Sequence, residues 1–302
     1  MIELSGVRWE RRAGVFTLDV PRLLLREGIT VMAGANGSGK SSLLQLLATA
    51  EFPDQGGIRY GLMSGDRDLA AIRSSIGYVP TGLELYEDMR MERLLRYLSE
   101  LKGEAGRAET DRVIGLFQLE PYRRRAIKTL PQGIRQRIAL AQSVIGSPDY
   151  LFLDEPLNAL DSVERLRLIR FLASYARGRA VVVSTHELNE WEAWASRILW
   201  LADGKPQFHG TPQEWTSALP GSVWGGSVSP ERYRELPPGD LLQVRPELDL
   251  WSVRLLAADC PGPEFAVQEP TLEDAYFLRS RARLREEQTR INTTLQNDHN
   301  DM

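Results

Sequence analysis

The run Gly34-Ala35-Asn36-Gly37-Ser38-Gly39-Lys40-Ser41 fits the pattern GxxxxGK[ST], with Ser42 leading on into a helical stretch. A phosphate needs backbone N–H groups that converge on it, and glycines allow both that close approach and the positive φ of the turn. Lys40 adds a point charge. The Ser41 hydroxyl is suited to ligating Mg²⁺, and the following helix turns its positive end toward the anion. The plain alternative, a glycine turn that happens to precede a helix, is weakened by the apolar run Ile29 to Ala33 just before it.

Two further groups could act on a phosphate held there. The apolar stretch Leu151-Phe152-Leu153 ends in Asp154 and Glu155. In such a pair the first acid can hold Mg²⁺ or its water, and the second can orient and deprotonate an attacking water. Strand ends are also acidic simply where they emerge into solvent, so the pair gains its meaning from the loop upstream. His186 follows the apolar run Val181-Val182-Val183 and Ser184. A lone histidine after a strand is commonly a capping or surface residue, and its place after the second core strand beyond the acids makes it a candidate γ-phosphate contact. His209 and His299 have no such context and read as surface residues.

The elements that must position these groups alternate between strand and helix. Ile2 to Val7 and Val15 to Val20 alternate in polarity, as half-buried antiparallel strands do, whereas Ile29 to Ala33 is a continuous buried run. Ile76 to Val79 is a brief strand stopped by Pro80. From Met89 to about Ile145 the pattern is helical, with Leu94, Leu95, Leu98 and Leu101 on one face. Strands at Tyr150 to Leu153, Ala180 to Ser184 and Ile198 to Leu201 are then separated by expected helices at Val163 to Ala176 and Leu188 to Ala195. Such alternation implies a parallel sheet covered on both faces.

These patterns divide the chain into a core over 1–210, with a helical subdomain at about 82–146, an accessory region over 211–282, and a polar tail over 283–302 expected to be disordered. With 302 residues a sizeable core needs no disulfide, and the one cysteine, Cys260, cannot pair within the chain. The net charge of -4 argues against a general nucleic-acid binder. The basic cluster Arg123, Arg124, Arg125 and Lys128 is read as a solvated helix end or loop in preference to a lipid or partner contact. No apolar stretch is long enough to span a bilayer, and Met1 to Glu10 lacks the layout of a signal peptide, so a cytoplasmic location is expected.

Taken in order, these segments resemble the nucleotide-binding subunit of ATP-binding cassette (ABC) transporters over about 1–210. The resemblance is carried by G-A-N-G-S-G-K-S-S at 34–42, I-G-Y-V-P-T at 76–81, L-P-Q-G-I-R-Q-R at 130–137, Y-L-F-L-D-E-P at 150–156, N-A-L-D at 158–161 and S-T-H-E at 184–187. It implies an α/β fold of the P-loop NTPase (RecA-like) type, with a parallel-sheet core, an antiparallel β flank, the inserted helical subdomain and a small α/β C-terminal appendage. It also implies ATP and Mg²⁺, with Gly34 to Ser42 binding nucleotide, Ser41 and Asp154 holding the metal, Glu155 as base and His186 as phosphate sensor. The implied assembly is a head-to-tail dimer, homo or hetero, in which Leu130, Pro131, Gln132 and Gly133 serve the partner's ATP and Asp161 lies at the seam. An integral membrane permease would receive this peripheral subunit at the inner face of the membrane, in a groove around Thr81 to Asp88.

Two departures bear on mechanism. Thr81 stands where the family has a glutamine, and is too short to reach the metal and water in the same way. The signature L-S-G-G-Q is here Leu130-Pro131-Gln132-Gly133-Ile134, which loses a serine hydroxyl and a backbone N–H. A helix is expected to start with Pro131 in its first turn. For the adenine ring the aligned region offers Trp9, Arg11 and Phe16, of which Trp9 is the choice, with an ordinary packed strand aromatic as its alternative. P-T-L-E-D-A-Y at 270–276 resembles the ending of exporter-type ATPase subunits, and reads equally as a helix start capped by Thr271 and Asp274.

Overall fold

A computed structural model describes residues 1–11, 14–65, 67–104, 106–217, 219 and 221–283. Two compact units meet between Thr211 and Pro212. The first runs β1 (Ile2–Arg11), β2 (Phe16–Leu25), β3 (Gly28–Ala33), α1 (Lys40–Leu47), β4 (Gln55–Tyr60), β5 (Met63–Ser64), α2 (Leu69–Ser74) and β6 (Ile76–Val79). It continues with α3 (Met91–Leu101), α4 (Gly106–Leu116), α5 (Gln132–Ser143), β7 (Tyr150–Asp154), α6 (Ser162–Tyr175), β8 (Ala180–Ser184), β9 (Arg197–Ala202) and β10 (Lys205–Gly210).

The central sheet has the order β10-β9-β3-β8-β7-β6, and all its neighbours are parallel except the β9–β10 hairpin. Every residue of β7 and β8 is buried. Their β-branched and aromatic residues suit a strand covered on both faces, and this is why the pattern is a continuous apolar run. Register then brings the chemistry together. Met32 pairs with Ser184 across β3 and β8, and Asp154 pairs with Ser184 across β7 and β8. The loop after β3, the acids ending β7 and the histidine after β8 therefore emerge at one edge, outside the carboxyl ends of the strands.

A second, antiparallel sheet of order β2-β1-β4-β5 packs with α1 around Leu4, Leu18, Leu43, Phe152 and Val182. Its strand β2 begins at Phe16. Val15, expected as its first residue, is instead in the turn and 84% exposed. The expected helix at Leu188 to Ala195 is only a 3-10 turn, Leu188–Trp191, with Trp191 fully buried.

The second unit comprises α7 (Pro212–Thr216), β11 (Ser222–Val228), α8 (Pro230–Glu235), β12 (Leu241–Glu247), β13 (Leu250–Ala257), β14 (Phe265–Gln268) and α9 (272–283). Its antiparallel sheet has the order β12-β13-β11-β14. Thr271 Oγ1 accepts from Asp274 N at 3.2 Å while Asp274 accepts from Thr271 N at 2.9 Å, so the reciprocal cap at the start of α9 is present. Arg254 of β13 closes on the same carboxylate at 2.5 Å. The tail from 284 onward, expected to be disordered, lies outside the described residues.

Candidate functional site

The loop between β3 and α1 is shaped by its glycines. Gly39 has φ 105°, and a Cβ there would come within 2.9 Å of Phe16 Cζ; a Cβ on Gly34 would come within 2.5 Å of Leu201 O. Ser38 N donates to Ala35 O at 3.1 Å and closes the turn. Gly39 caps α1 without a side-chain hydrogen bond, and the first turn of α1 carries no acid. The N–H groups of that turn are thus left for an external acceptor. Ser38 Oγ is buried without a hydrogen-bond partner.

Lys40 donates from Nζ to Gly34 O at 2.6 Å and Ala35 O at 3.1 Å. Burial lowers its pKa, and the negative charges of Glu155 and Asp154 pull it part of the way back. The same acids are organised from β8. Ser184 Oγ donates to Asp154 Oδ1 at 2.5 Å and accepts from Glu155 N at 3.0 Å. Glu155 takes the left-handed conformation, φ 51°, which turns the chain sharply as it leaves β7. Its Oε2 lies 2.9 Å from His186 Nδ1, and the imidazole is largely exposed. Burial, with the Asp154 charge nearby, pushes the Tyr78 phenol up to about 12.

Two cavities flank the acid pair. One, of about 340 Å³, is lined by Asn36, Lys40, Ser41, Asp154, Glu155 and Phe16. The other, of about 320 Å³, includes Gln132, Gln136 and Asn158. Thr81, Asp154 and Glu155 line both. The phosphate loop, the acids and Thr81 are therefore gathered at one place, and His186 is joined to it through Glu155.

Trp9 is not part of it. It is 9% exposed and packed in the core beneath the antiparallel sheet, because the alternation of β1 turns it inward with Val7. The aromatic that lines the phosphate-loop cavity is Phe16, beside Arg11.

The segment Leu130 to Gly133 starts α5. Pro131 is the N-cap, with φ -56° and ψ 155°, so it lies just outside the helix and not in its first turn; Gln132 is the first helical residue. Leu130 and Ile134 are both buried. A Cβ on Gly133 would lie 3.1 Å from Ala159 O, which makes this a tight approach to the segment before α6. Asp161 caps α6 through Val163 N and Glu164 N, in a capping box with Glu164. The basic cluster nearby has partners: Arg123 pairs with Glu92 and Asp111, and Lys128 with Asp88.

Sequence reasoning passed over Ser184 and Gln136. Gln136 donates to Pro156 O at 3.2 Å and ties α5 to the loop beyond the acids. The signal for Ser184 was present, a hydroxyl closing an otherwise apolar buried strand, and only register reveals what it faces.

Residues 22–158 match the sequence pattern of the ABC transporter family. That segment carries an ABC transporter domain. This cassette is 29% identical over 221 residues to the rat phospholipid-transporting ATPase ABCA3, covering 71% of this chain and 13% of that one. It is 30% identical to the molybdenum import ATP-binding protein ModC of Rhizobium etli, over 68% of this chain and 59% of that one. The chain thus spans less than two thirds of these relatives. Among solved structures, the dimeric ATP-binding cassette MJ0796 with ADP and Pi shares the fold, with a TM-score of 0.63 and 24% identity over 70% of this chain and 98% of that one. No described helix is long and apolar enough to cross a membrane.

The cassette's donor set fits Mg²⁺. That ion is commonly held by one or two protein oxygens with substrate phosphates and waters completing the shell. Ser41 and Asp154 on one cavity wall meet that need. No cluster of three or more His, Cys, Asp or Glu residues among the described ones could form an all-protein cage.

Proposed function

We propose that this cassette is the ATP-binding and ATP-hydrolysing subunit of an exporter whose membrane subunit is a separate chain. The observation that carries the ATPase chemistry is the shared wall of Asp154 and Glu155, facing the cavity lined by Lys40 and Ser41. The loop N–H groups, the α1 N-terminus and Lys40 would bind the β- and γ-phosphates. Ser41 and Asp154 would hold Mg²⁺, which supplies charge neutralisation on the phosphate oxygens. Glu155 takes the proton from the attacking water, and His186 holds that carboxylate and contacts the γ-phosphate.

The cassette supplies one face of the site. The other comes from the Leu130 to Gly133 segment of a second subunit, with Asp161 at the seam, so that ATP closes the dimer and hydrolysis opens it. A short helix of the membrane subunit docks in the groove around Thr81 to Asp88. This locates the chain at the cytoplasmic face of the membrane.

Export is supported by the P-T-L-E-D-A-Y segment, although Thr271 and Asp274 within it also cap α9. The relatives' names do not fix a direction, since ModC is an import protein. Affinity purification of the full chain from detergent-solubilised membranes tests the assignment. It should bring down a polytopic protein that stimulates ATP hydrolysis, and export of a labelled substrate from cells should require Glu155. Recovery of the chain alone, with full basal activity, would point to an ATPase without a transporter.

A further inference from the structure

We infer that Ser184 is the positioning residue for the metal-holding carboxylate, fixing the orientation of Asp154 from the neighbouring strand. The inference rests on the ATPase reading above. Ser184 is the last residue of β8 and completely buried, after three valines in a sheet covered on both faces. Packing alone there would be met by an apolar residue, and a hydroxyl in a dry strand costs free energy unless it is bonded. Both hydrogen bonds of this hydroxyl go to the acid pair, one to Asp154 Oδ1 and one from Glu155 N.

The two bonds do not carry equal weight. Glu155 N also donates to Ser184 O at 3.2 Å, so removing the hydroxyl leaves that amide satisfied. Asp154 is only 4% exposed, and the hydrogen bond it receives among the described residues comes from Ser184. Without it the carboxylate loses the contact that sets its rotation, while the strand register, Asp154 opposite Ser184, stays in place. With Oδ1 engaged, Oδ2 is the oxygen left uncommitted. Metal affinity then follows the quality of the shell behind Asp154.

The test separates metal binding from nucleotide binding in the purified full chain. A fluorescent ATP analogue is titrated in EDTA, and Mn²⁺ is then titrated by electron paramagnetic resonance into the complex with a non-hydrolysable analogue. For Ser184→Ala, metal-free nucleotide affinity should stay within about twofold, while Mn²⁺ affinity in the ternary complex falls about tenfold or more. Ser184→Thr, which keeps the hydroxyl, should recover most of that loss. Unchanged Mn²⁺ affinity in Ser184→Ala would overturn the inference, as would a parallel loss of metal-free nucleotide binding, which marks a purely structural role. If the wild-type chain itself binds no nucleotide, the ATPase reading fails first, and this inference with it.

Discussion

His186 Nδ1 lies 2.9 Å from Glu155 Oε2, although the two residues leave different strands. The contact exists because β7 and β8 are parallel neighbours whose ends coincide, with Asp154 level with Ser184. One residue beyond, the left-handed turn at Glu155 swings its side chain toward the segment after β8. The imidazole is exposed at the mouth while the carboxylate is mostly enclosed, an order that suits a general base held from the outside.

That geometry predicts a division of labour. His186→Ala should lower kcat by about 100-fold, within the usual range for loss of a group supporting proton transfer, and change the KM for ATP only a few-fold. Steady-state kinetics over a range of ATP concentrations would check this. A rise in KM with unchanged kcat would mean that His186 serves binding alone.

The signature segment yields a gain-of-function prediction. Pro131 caps α5 without a side-chain hydrogen bond, and Gln132 occupies the first helical position. The double substitution Pro131→Ser with Gln132→Gly restores a hydroxyl and a backbone N–H at the helix start. ATP turnover should rise several-fold in a colorimetric phosphate assay.

Phe16 and Trp9 separate binding from packing. Phe16→Ala should weaken ATP binding on the order of tenfold, as expected for loss of one stacked base. Trp9→Ala should instead cost about 3 kcal/mol or more of stability through a core cavity. Calorimetric titration with ATP and thermal melts of both variants would distinguish the two effects.

The contrast between these aromatics shows where the sequence was legible. Buried parallel strands appear as unbroken apolar runs, so Ile29 to Ala33, Leu151 to Leu153 and Val181 to Val183 could be located from composition, together with the polar groups at their ends. Pairing is a tertiary property. That Ser184 would face Asp154 depends on a register that neither segment encodes alone, and that Phe16 would reach the phosphate loop depends on how the antiparallel sheet sits beside it. Trp9 follows its alternative, a packed strand aromatic, because a strand pattern leaves open which face looks inward. The segment at 188–195 showed helical spacing, and the structure forms only a 3-10 turn there, Leu188–Trp191, around a buried tryptophan.

Glu109 gives a pH signature for the helical subdomain. It accepts from Arg112 at 2.6 and 2.7 Å and from Gly146 N at 2.8 Å, which joins α4 to the turn beyond α5. The Arg112 guanidinium, helped by the Gly146 amide, holds its pKa below the usual glutamate value. The stabilisation is therefore present above the unfolded-state pKa of about 4.3 and lost as pH falls through the lower folded-state value. Glu109→Gln should cost about 1 kcal/mol near neutrality, allowing for solvent screening, and the difference from wild type should vanish in acid melts.

The central claim is that this cassette hydrolyses ATP with Glu155 as the base, at a site completed by a second subunit. Its most direct test is ATP turnover of the wild-type chain beside Glu155→Gln, followed by gel filtration of both with ATP and Mg²⁺. The account predicts that the wild type turns over, and that the variant falls by about 100-fold or more while eluting as an ATP-trapped dimer. Equal turnover by the two proteins, with no ATP-dependent dimer, would contradict it.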